Sequence, residues 1–144
     1  MSPDPRKIAL TILNTLDGAQ TTLDRAMDAA TTKGVSLSRR DRALLNALVY
    51  GVLRWRERMD RIINHFSKTP FQKIDPPILN ILRLGLFQII YLDRIPLSAA
   101  VNTSVEMAKS KKKPWVAGFV NALLRNAARG HKAVLFPDPL KNPV

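Results

Sequence analysis

The segment Pro76–Tyr91 places the strongest constraint on how this chain can fold. Asp75 followed by Pro76 favours a helix start, because the first turn of a helix leaves its N–H groups unpaired and proline has none to lose. A helix that is apolar on most sides has to lie inside a bundle of other helices. We therefore predict an all-α fold built around this segment, whose large apolar residues are Ile78, Leu79, Ile81, Leu82, Leu84, Leu86, Phe87, Ile89 and Ile90.

Apolar residues recur every three or four positions through most of the remaining chain, which predicts further helices. Ser36 or Ser38 can cap the longest of them, and its length predicts a break or kink near residues 54–56. The sequence thus predicts a compact bundle of about seven helices without a strand. The predicted helical segments are 8–16, 23–30, a segment from Ser36 or Ser38 to residue 66 that a break would divide in two, 76–91, 96–107 and 114–127.

The charge of the chain is strongly positive and unevenly distributed. Lysine and arginine total 23 against 11 acidic residues, which gives a formal net charge of +12 in 144 residues. Residues 1–37 carry four charges of each sign, so the whole excess lies in residues 38–144. An excess of this size attracts polyanions, most commonly nucleic acid. An anionic membrane surface or an acidic protein remains the alternative ligand.

The sequence also excludes or disfavours several kinds of chemistry. It has no cysteine, which excludes disulfides, thiolate metal sites and a cysteine nucleophile, and which is compatible with the cytoplasm. His65 and His131 have no acidic partner at metal-ligand spacing, and no glycine-rich loop follows a strand. Asn80, Arg83 and Gln88 interrupt the longest apolar run, so no span of about 18 residues can cross a membrane. We expect no catalytic residue, cofactor site or metal site in this chain.

The composition changes after Gly130. Three prolines fall within residues 136–144, and a proline-rich stretch of this kind is extended rather than helical. We predict a helical domain over residues 1–130 and a linker over residues 131–144 that leads to a further domain. A terminal strap on the same domain is the alternative interpretation.

Basic residues form several clusters, of which the lysine run at a helix C-terminus is favoured by the helix dipole. Arginines in the first turn of the longest predicted helix oppose the helix dipole. Arg54, Arg58 and Arg61 form a stripe within about 60° on the same helix, which pairing of Glu57 with Arg61 explains only in part. A lysine run precedes the last helix. The candidate nucleic-acid contacts are Arg6, Lys7, Arg39, Arg40, Arg42, Arg54, Arg58, Lys109, Lys111, Lys112, Lys113, Arg125 and Arg129.

Other side chains that suit nucleic-acid contact are interpreted as structural. Trp55 and Trp115 are able to stack on bases, but both lie where a helix needs an anchor, so packing within the bundle is favoured. Asn102 and Asn121 are predicted to hydrogen-bond between helices rather than to read bases. His65 is interpreted as a partly packed helix residue.

Six sequence blocks, taken together, point to a family. They are RDRAL at 40–44, LVYGVLR at 48–54, MDRII at 59–63, PILNILRLG at 77–85, YLDRIP at 91–96 and AGFVNALLR at 117–125. In this order they resemble the NusB-like N-terminal domain of bacterial ribosomal RNA cytosine-C5 methyltransferases of the RsmB (Sun or Fmu) type. The resemblance covers roughly residues 6–130.

The resemblance implies an all-α NusB-like fold that helps to hold RNA, in particular small-subunit ribosomal RNA, while a downstream Rossmann-type domain methylates cytosine. In such enzymes the second domain binds S-adenosylmethionine and supplies a cysteine nucleophile. The chain would then be a non-catalytic domain whose partners are RNA and its own catalytic domain. Thr103 stands where the family often has an acid, whereas Glu106 is kept, so any contact made by that acid is not expected here.

Two other functions remain open. One is a free-standing transcription antitermination factor of the NusB type, which binds a short RNA element and a small-subunit ribosomal protein. Such factors typically open with an arginine-rich segment, and this chain offers only Arg6 and Lys7 there. The other is a docking domain whose basic surface meets an acidic protein and no RNA.

Overall fold

Six α-helices and two short 3-10 turns form the part of the chain that the computed structural model describes, residues 3–31, 36–110 and 113–134. No strand occurs among these residues, so the all-α prediction is confirmed. The described helices number six rather than about seven, because the longest one bends without ending. They are α1 (Pro5–Gly18), α2 (Leu23–Thr31), α3 (Arg39–Phe66), α4 (Pro76–Tyr91), α5 (Leu97–Lys109) and α6 (Trp115–Gly130), with 3-10 turns at Phe71–Lys73 and His131–Ala133.

Side-chain caps stabilise the starts of two helices. At the start of α1, the Asp4 carboxylate accepts a hydrogen bond from the backbone N–H of Arg6 at 2.9 Å. Of the two candidate serines, Ser38 caps α3, and its Oγ accepts from the backbone N–H of Asp41 at 3.0 Å. Each cap satisfies a donor that a helix start otherwise leaves unpaired.

The predicted kink in α3 lies at Trp55. Its backbone angles, φ −105° and ψ 18°, depart from the α-helical values on either side. The bend allows a helix of 28 residues to follow the surface of the bundle and to pack against α1, α4 and α6. It also opens the outer side of α3 into a groove, which is described below.

Helix α4 is the centre of the bundle, as its composition predicts. Its residues from Ile78 to Gln88 are all buried, and it packs against α1, α3, α5 and α6. Each fully buried leucine or isoleucine side chain contributes about 1.5–3 kcal/mol relative to an exposed one. The packed chain continues past Gly130 to Val134, which is 6% exposed. The remainder of the predicted linker lies outside the described residues.

Two glycines let neighbouring helices approach this centre closely. A Cβ added at Gly51 of α3 would meet the ring of Phe87 on α4. A Cβ added at Gly85 would lie 2.7 Å from Ser104 Oγ and 2.8 Å from a methyl group of Leu124. Both positions therefore need a residue without a side chain because of packing space.

We predict that Gly51→Ala lowers the free energy of unfolding by about 1–3 kcal/mol, because the added methyl group overpacks the contact with Phe87. Gly118→Ala on α6 is the matched control, since no atom lies within 4 Å of its added Cβ. This control should be neutral or stabilising by up to about 1 kcal/mol. Urea unfolding followed by circular dichroism measures both values. Equal stability of the two variants would contradict the packing argument.

The only buried cation of the described residues, Arg83, lies on α4 and is fully paired. Its Nε and Nη2 donate to the two carboxylate oxygens of Asp60 on α3, at 2.7 and 2.9 Å. Its Nη1 donates to the side-chain oxygen of Asn80 at 2.9 Å. The amide nitrogen of Asn80 in turn donates to Asn14 and Asp17 of α1, each at 2.9 Å. This network joins three helices through one buried charge.

We predict that Asp60→Ala lowers the free energy of unfolding by about 3–5 kcal/mol, because it leaves the Arg83 guanidinium buried without its counter-charge. Glu106→Ala removes the exposed ion pair with Lys109 and is the control, with an expected change within about 0.5 kcal/mol. Thermal and urea unfolding of both variants measure the difference. If Asp60→Ala were as stable as the control, the network would not hold the helices together.

Candidate nucleic-acid interface

Helix α3 carries most of the exposed arginines that the sequence singles out. Arg39, Arg40 and Arg42 are exposed in its first turn, where Asp41 is half-buried. Arg54 and Arg58 are exposed on either side of the kink. The two predicted α3 clusters therefore lie on the solvent side of a single helix, which we call the α3 surface. Arg61, which the stripe includes, is exposed there as well.

The kink forms an open groove on this surface, with a volume of about 960 Å³. The second half of α3 makes one wall, and the 3-10 turn Phe71–Lys73 contributes the other. We call it the kink groove. Its lining residues are Leu53, Arg54, Trp55, Arg56, Glu57, Arg58, Asp60, Arg61, Asn64, Phe71 and Gln72.

An aromatic stack supports the arginines of the kink groove. The guanidinium carbon of Arg54 lies 5.1 Å from the Trp55 ring centroid, and that of Arg58 lies 5.2 Å from it. The Trp55 ring stacks on Tyr91 at 5.5 Å with an interplanar angle of 12°. Tyr91 stacks on Phe87 at 5.3 Å, which connects the groove to the core around α4. Trp55 is half-buried, so its interpretation as a packing residue is confirmed.

The arginines of the groove differ in which acidic residues lie near them. Arg56 is half-buried and pairs with Asp17 of α1 at 3.4 Å, while Asp60 is engaged by Arg83. Within the described residues, no ion pair joins Arg61 to Glu57, so the predicted helix pair is not formed. Arg54, Arg58 and Arg61 are exposed on the groove, together with Glu57.

The other candidate residues lie away from the kink groove, and several are engaged. Arg6 is largely covered, and its Nε donates to the buried Gln88 side chain at 2.6 Å. Lys7 is exposed beside it on α1. Arg6 thus serves as a contact between α1 and α4, a role that its place in the sequence does not indicate.

Two lysines of the lysine run and both α6 arginines contact nearby polar side chains. Lys109 pairs with Glu106 at 3.1 Å, and Lys113 lies 3.7 Å from Asp75 at the start of α4. Lys111 and Lys112 lie outside the described residues. On α6, Arg125 donates to Asn121 at 3.1 Å and Arg129 donates to Asn126 at 2.6 Å, and both arginines are exposed.

The interpretations of three residues, Trp115, Asn102 and Asn121, are wrong. Trp115 is 49% exposed and touches Phe119 edge-on at 5.6 Å, because it is the first residue of α6. Asn121 bonds within its own helix and Asn102 is exposed, so neither joins two helices. His65 lies on α3 as interpreted, and its exposed ring is edge-on to Phe66 at 4.7 Å.

Sequence reasoning missed the second wall of the kink groove and one polar residue of the first. Gln72 is exposed on the second wall, where Phe71 is half-buried, and Asn64 is exposed on α3. Nothing in the sequence indicates that the 3-10 turn folds back against α3, since the turn has neither a charge cluster nor a motif. The sequence did indicate Arg61 as a residue of this surface, because it falls on the same stripe as Arg54 and Arg58.

The other ionisable groups of the described chain add no second kind of site. Partial burial and, to a smaller extent, Lys132 lower the pKa of His131, which favours its neutral form. Among the described residues, no group of three or more histidine or acidic side chains is placed to hold a metal ion. None of the described helices is both long and apolar enough to span a bilayer.

The fold and the α3 surface define a basic all-α domain in which five helices surround or support a buried sixth. The chain belongs to the NusB family, whose pattern matches residues 3–129. A chain from the crystal structure of a plectonemic RNA supercoil has the same fold, with a TM-score of 0.81 at 19% identity over 92% of this chain and 96% of that one. The predicted family and fold are therefore confirmed.

Two relatives show the two settings in which this domain occurs. A probable ribosomal RNA small subunit methyltransferase B of Synechocystis sp. is 37% identical over 127 residues, which are 88% of this chain and 28% of that protein. The transcription antitermination protein NusB of Ruminiclostridium cellulolyticum is 33% identical over 129 residues, 87% of this chain and 86% of that protein. The chain thus spans about a quarter of the methyltransferase relative and most of the antitermination relative.

Proposed function

We propose that this chain is the non-catalytic RNA-binding domain of an S-adenosylmethionine-dependent ribosomal RNA cytosine-C5 methyltransferase, and that it helps to position small-subunit ribosomal RNA. The observation that carries the proposal is the α3 surface, where exposed arginines of one helix face solvent on a chain with a net charge of +12. The similarity to methyltransferase B supports the choice of RNA. Such a domain would act in the cytoplasm.

Electrostatics favours a nucleic acid over other polyanions for this surface, and the similarity to methyltransferase B supports RNA as that nucleic acid. Phosphates along a nucleic acid repeat at intervals of several ångströms, and each one neutralised releases a counterion. The α3 surface extends along a helix of 28 residues, or roughly 40 Å at 1.5 Å per residue. Arginine also matches the bidentate geometry of phosphate better than lysine does. We therefore place the RNA backbone along α3, with the α6 arginines and the lysine run as outer contacts.

Methyl transfer belongs to another domain in this proposal. The described residues do not fit S-adenosylmethionine, because they are helices, turns and loops and offer no glycine-rich loop between a strand and a helix. The chain has no cysteine to act as the nucleophile that the family resemblance implies. We propose that residues 135–144 lead towards the catalytic domain, which would bind the cofactor and contact this domain.

A free-standing antitermination factor is the second candidate. The similarity to NusB of Ruminiclostridium cellulolyticum favours it, because the alignment covers most of both chains. Under this alternative, adding a small-subunit ribosomal protein should raise the affinity of the chain for a short RNA element. Under the methyltransferase proposal, the chain alone should prefer a small-subunit ribosomal RNA hairpin over an unrelated hairpin of equal length.

We predict that the chain binds the ribosomal hairpin with an affinity that falls steeply as salt rises. Arg39→Glu, Arg40→Glu and Arg42→Glu combined should weaken binding and lower the slope of log K against log salt by roughly 0.7–0.9 for each phosphate that is no longer neutralised. Fluorescence anisotropy over a salt series, with circular dichroism as the folding check, measures both quantities.

The matched control reverses three exposed charges that lie off α3, Arg25→Glu, Arg94→Glu and Lys132→Glu. Since both triple variants change the net charge equally, a specific α3 surface requires the control to bind more tightly and with a steeper slope. Equal losses of affinity would reduce the interaction to net charge. Absence of binding by the unmodified chain at low salt would instead favour a protein partner for the basic surface.

A further inference from the structure

The kink groove holds two arginines against the same aromatic ring. The guanidinium carbons of Arg54 and Arg58 lie 5.1 and 5.2 Å from the Trp55 ring centroid, so they are no more than about 10 Å apart. The ring attracts both guanidinium groups through cation–π interaction and keeps them close to each other on the lining of the groove.

The position of the Trp55 ring is fixed from behind. It stacks on Tyr91, which stacks on Phe87, and Phe87 packs against the backbone at Gly51. The Tyr91 hydroxyl also accepts a hydrogen bond from Arg58 at 3.5 Å. Because the ring already carries Tyr91 and two guanidinium groups, little of its surface is left for a nucleic-acid base. Its place in the groove therefore suits it to hold the arginines rather than to stack on a base.

The surroundings of the arginine pair suit a nucleotide. The groove has a volume of about 960 Å³, within the range of roughly 300–1,000 Å³ that small-ligand sites occupy. Asn64 and Gln72 are exposed on its lining, and side-chain amides donate to and accept from base edges and ribose hydroxyls. A guanidinium pair offers parallel N–H donors to the two free oxygens of a phosphodiester.

We propose that the kink groove is a phosphodiester-binding site, in which Trp55 acts as a positioning residue that holds Arg54 and Arg58 for one phosphate group of an RNA chain. Asn64 and Gln72 contact the attached nucleotide. This site rests on the RNA-binding function proposed above and deepens it, because it assigns binding to guanidinium geometry and not only to charge.

The test separates geometry from charge. The double variant Arg54→Lys with Arg58→Lys keeps both charges but loses the planar donor pairs, so it should bind the small-subunit ribosomal hairpin about three- to tenfold more weakly. The slope of log K against log salt should stay the same, because the number of phosphates neutralised does not change. Arg25→Lys with Arg94→Lys is the control, since neither residue lines the groove, and it should bind like the unmodified chain.

The positioning role has its own readout. Trp55→Leu should lower the affinity by a similar factor at an unchanged salt slope, and Trp55→Phe, which keeps an aromatic face, should recover much of it. Circular dichroism checks the fold of these variants, and the exposed lysine substitutions keep the test valid if Trp55→Leu unfolds. Equal affinity of the Arg→Lys double variant and the unmodified chain would overturn the site while leaving RNA binding intact. No RNA binding by the unmodified chain would overturn both proposals.

Discussion

The rest of the structure depends on how a buried arginine on the central helix is paired. Arg83 lies 2% exposed within α4, where an unpaired charge is strongly disfavoured. Its two bonds to Asp60 fix the second half of α3, and its bond to Asn80 continues to Asn14 and Asp17 of α1. Apolar burial alone tolerates small rotations of a helix, whereas a bidentate ion pair permits few. The network therefore sets which side of α3 faces solvent.

A second set of contacts connects the same side of α4 to the kink groove. Phe87 and Tyr91 follow Arg83 at helical spacing on α4, so the same side of α4 that binds Asp60 also supports Trp55. Gly51 lets Phe87 approach α3 closely enough for the stack to form. Arg54 and Arg58 are thus supported by an aromatic stack that extends from the core. Flexible side chains that are already held in place lose less entropy when they bind a ligand.

The sequence predicts the framework of this domain better than its polar contacts. The central place of α4, its start at Pro76, a start of α3 after Ser36 or Ser38 and a bend near residues 54–56 follow from local patterns of hydrophobicity, capping and length. Arg83 looks like an interruption of an apolar run because its partner Asp60 is 23 residues away. Arg6 looks like a surface cation because Gln88, its partner, is 82 residues away. Pairing between residues far apart in sequence decides which charges remain on the surface, and local sequence patterns do not predict that pairing.

That pairing also explains how an arginine-rich helix keeps its charge exposed. Helix α3 contains acidic residues as well, but Asp60 turns inward to Arg83 and Asp41 is half-buried near the cap. Asp17 of α1 forms an ion pair with Arg56, which is the least exposed of the arginines beside Trp55. Asp60 and Asp17 therefore neutralise Arg83 and Arg56. Arg54 and Arg58 share the Trp55 ring as their support, and the ring attracts both guanidinium groups. Long-range pairing thus satisfies the buried charge electrostatically, while Arg54 and Arg58 lie exposed on the kink groove.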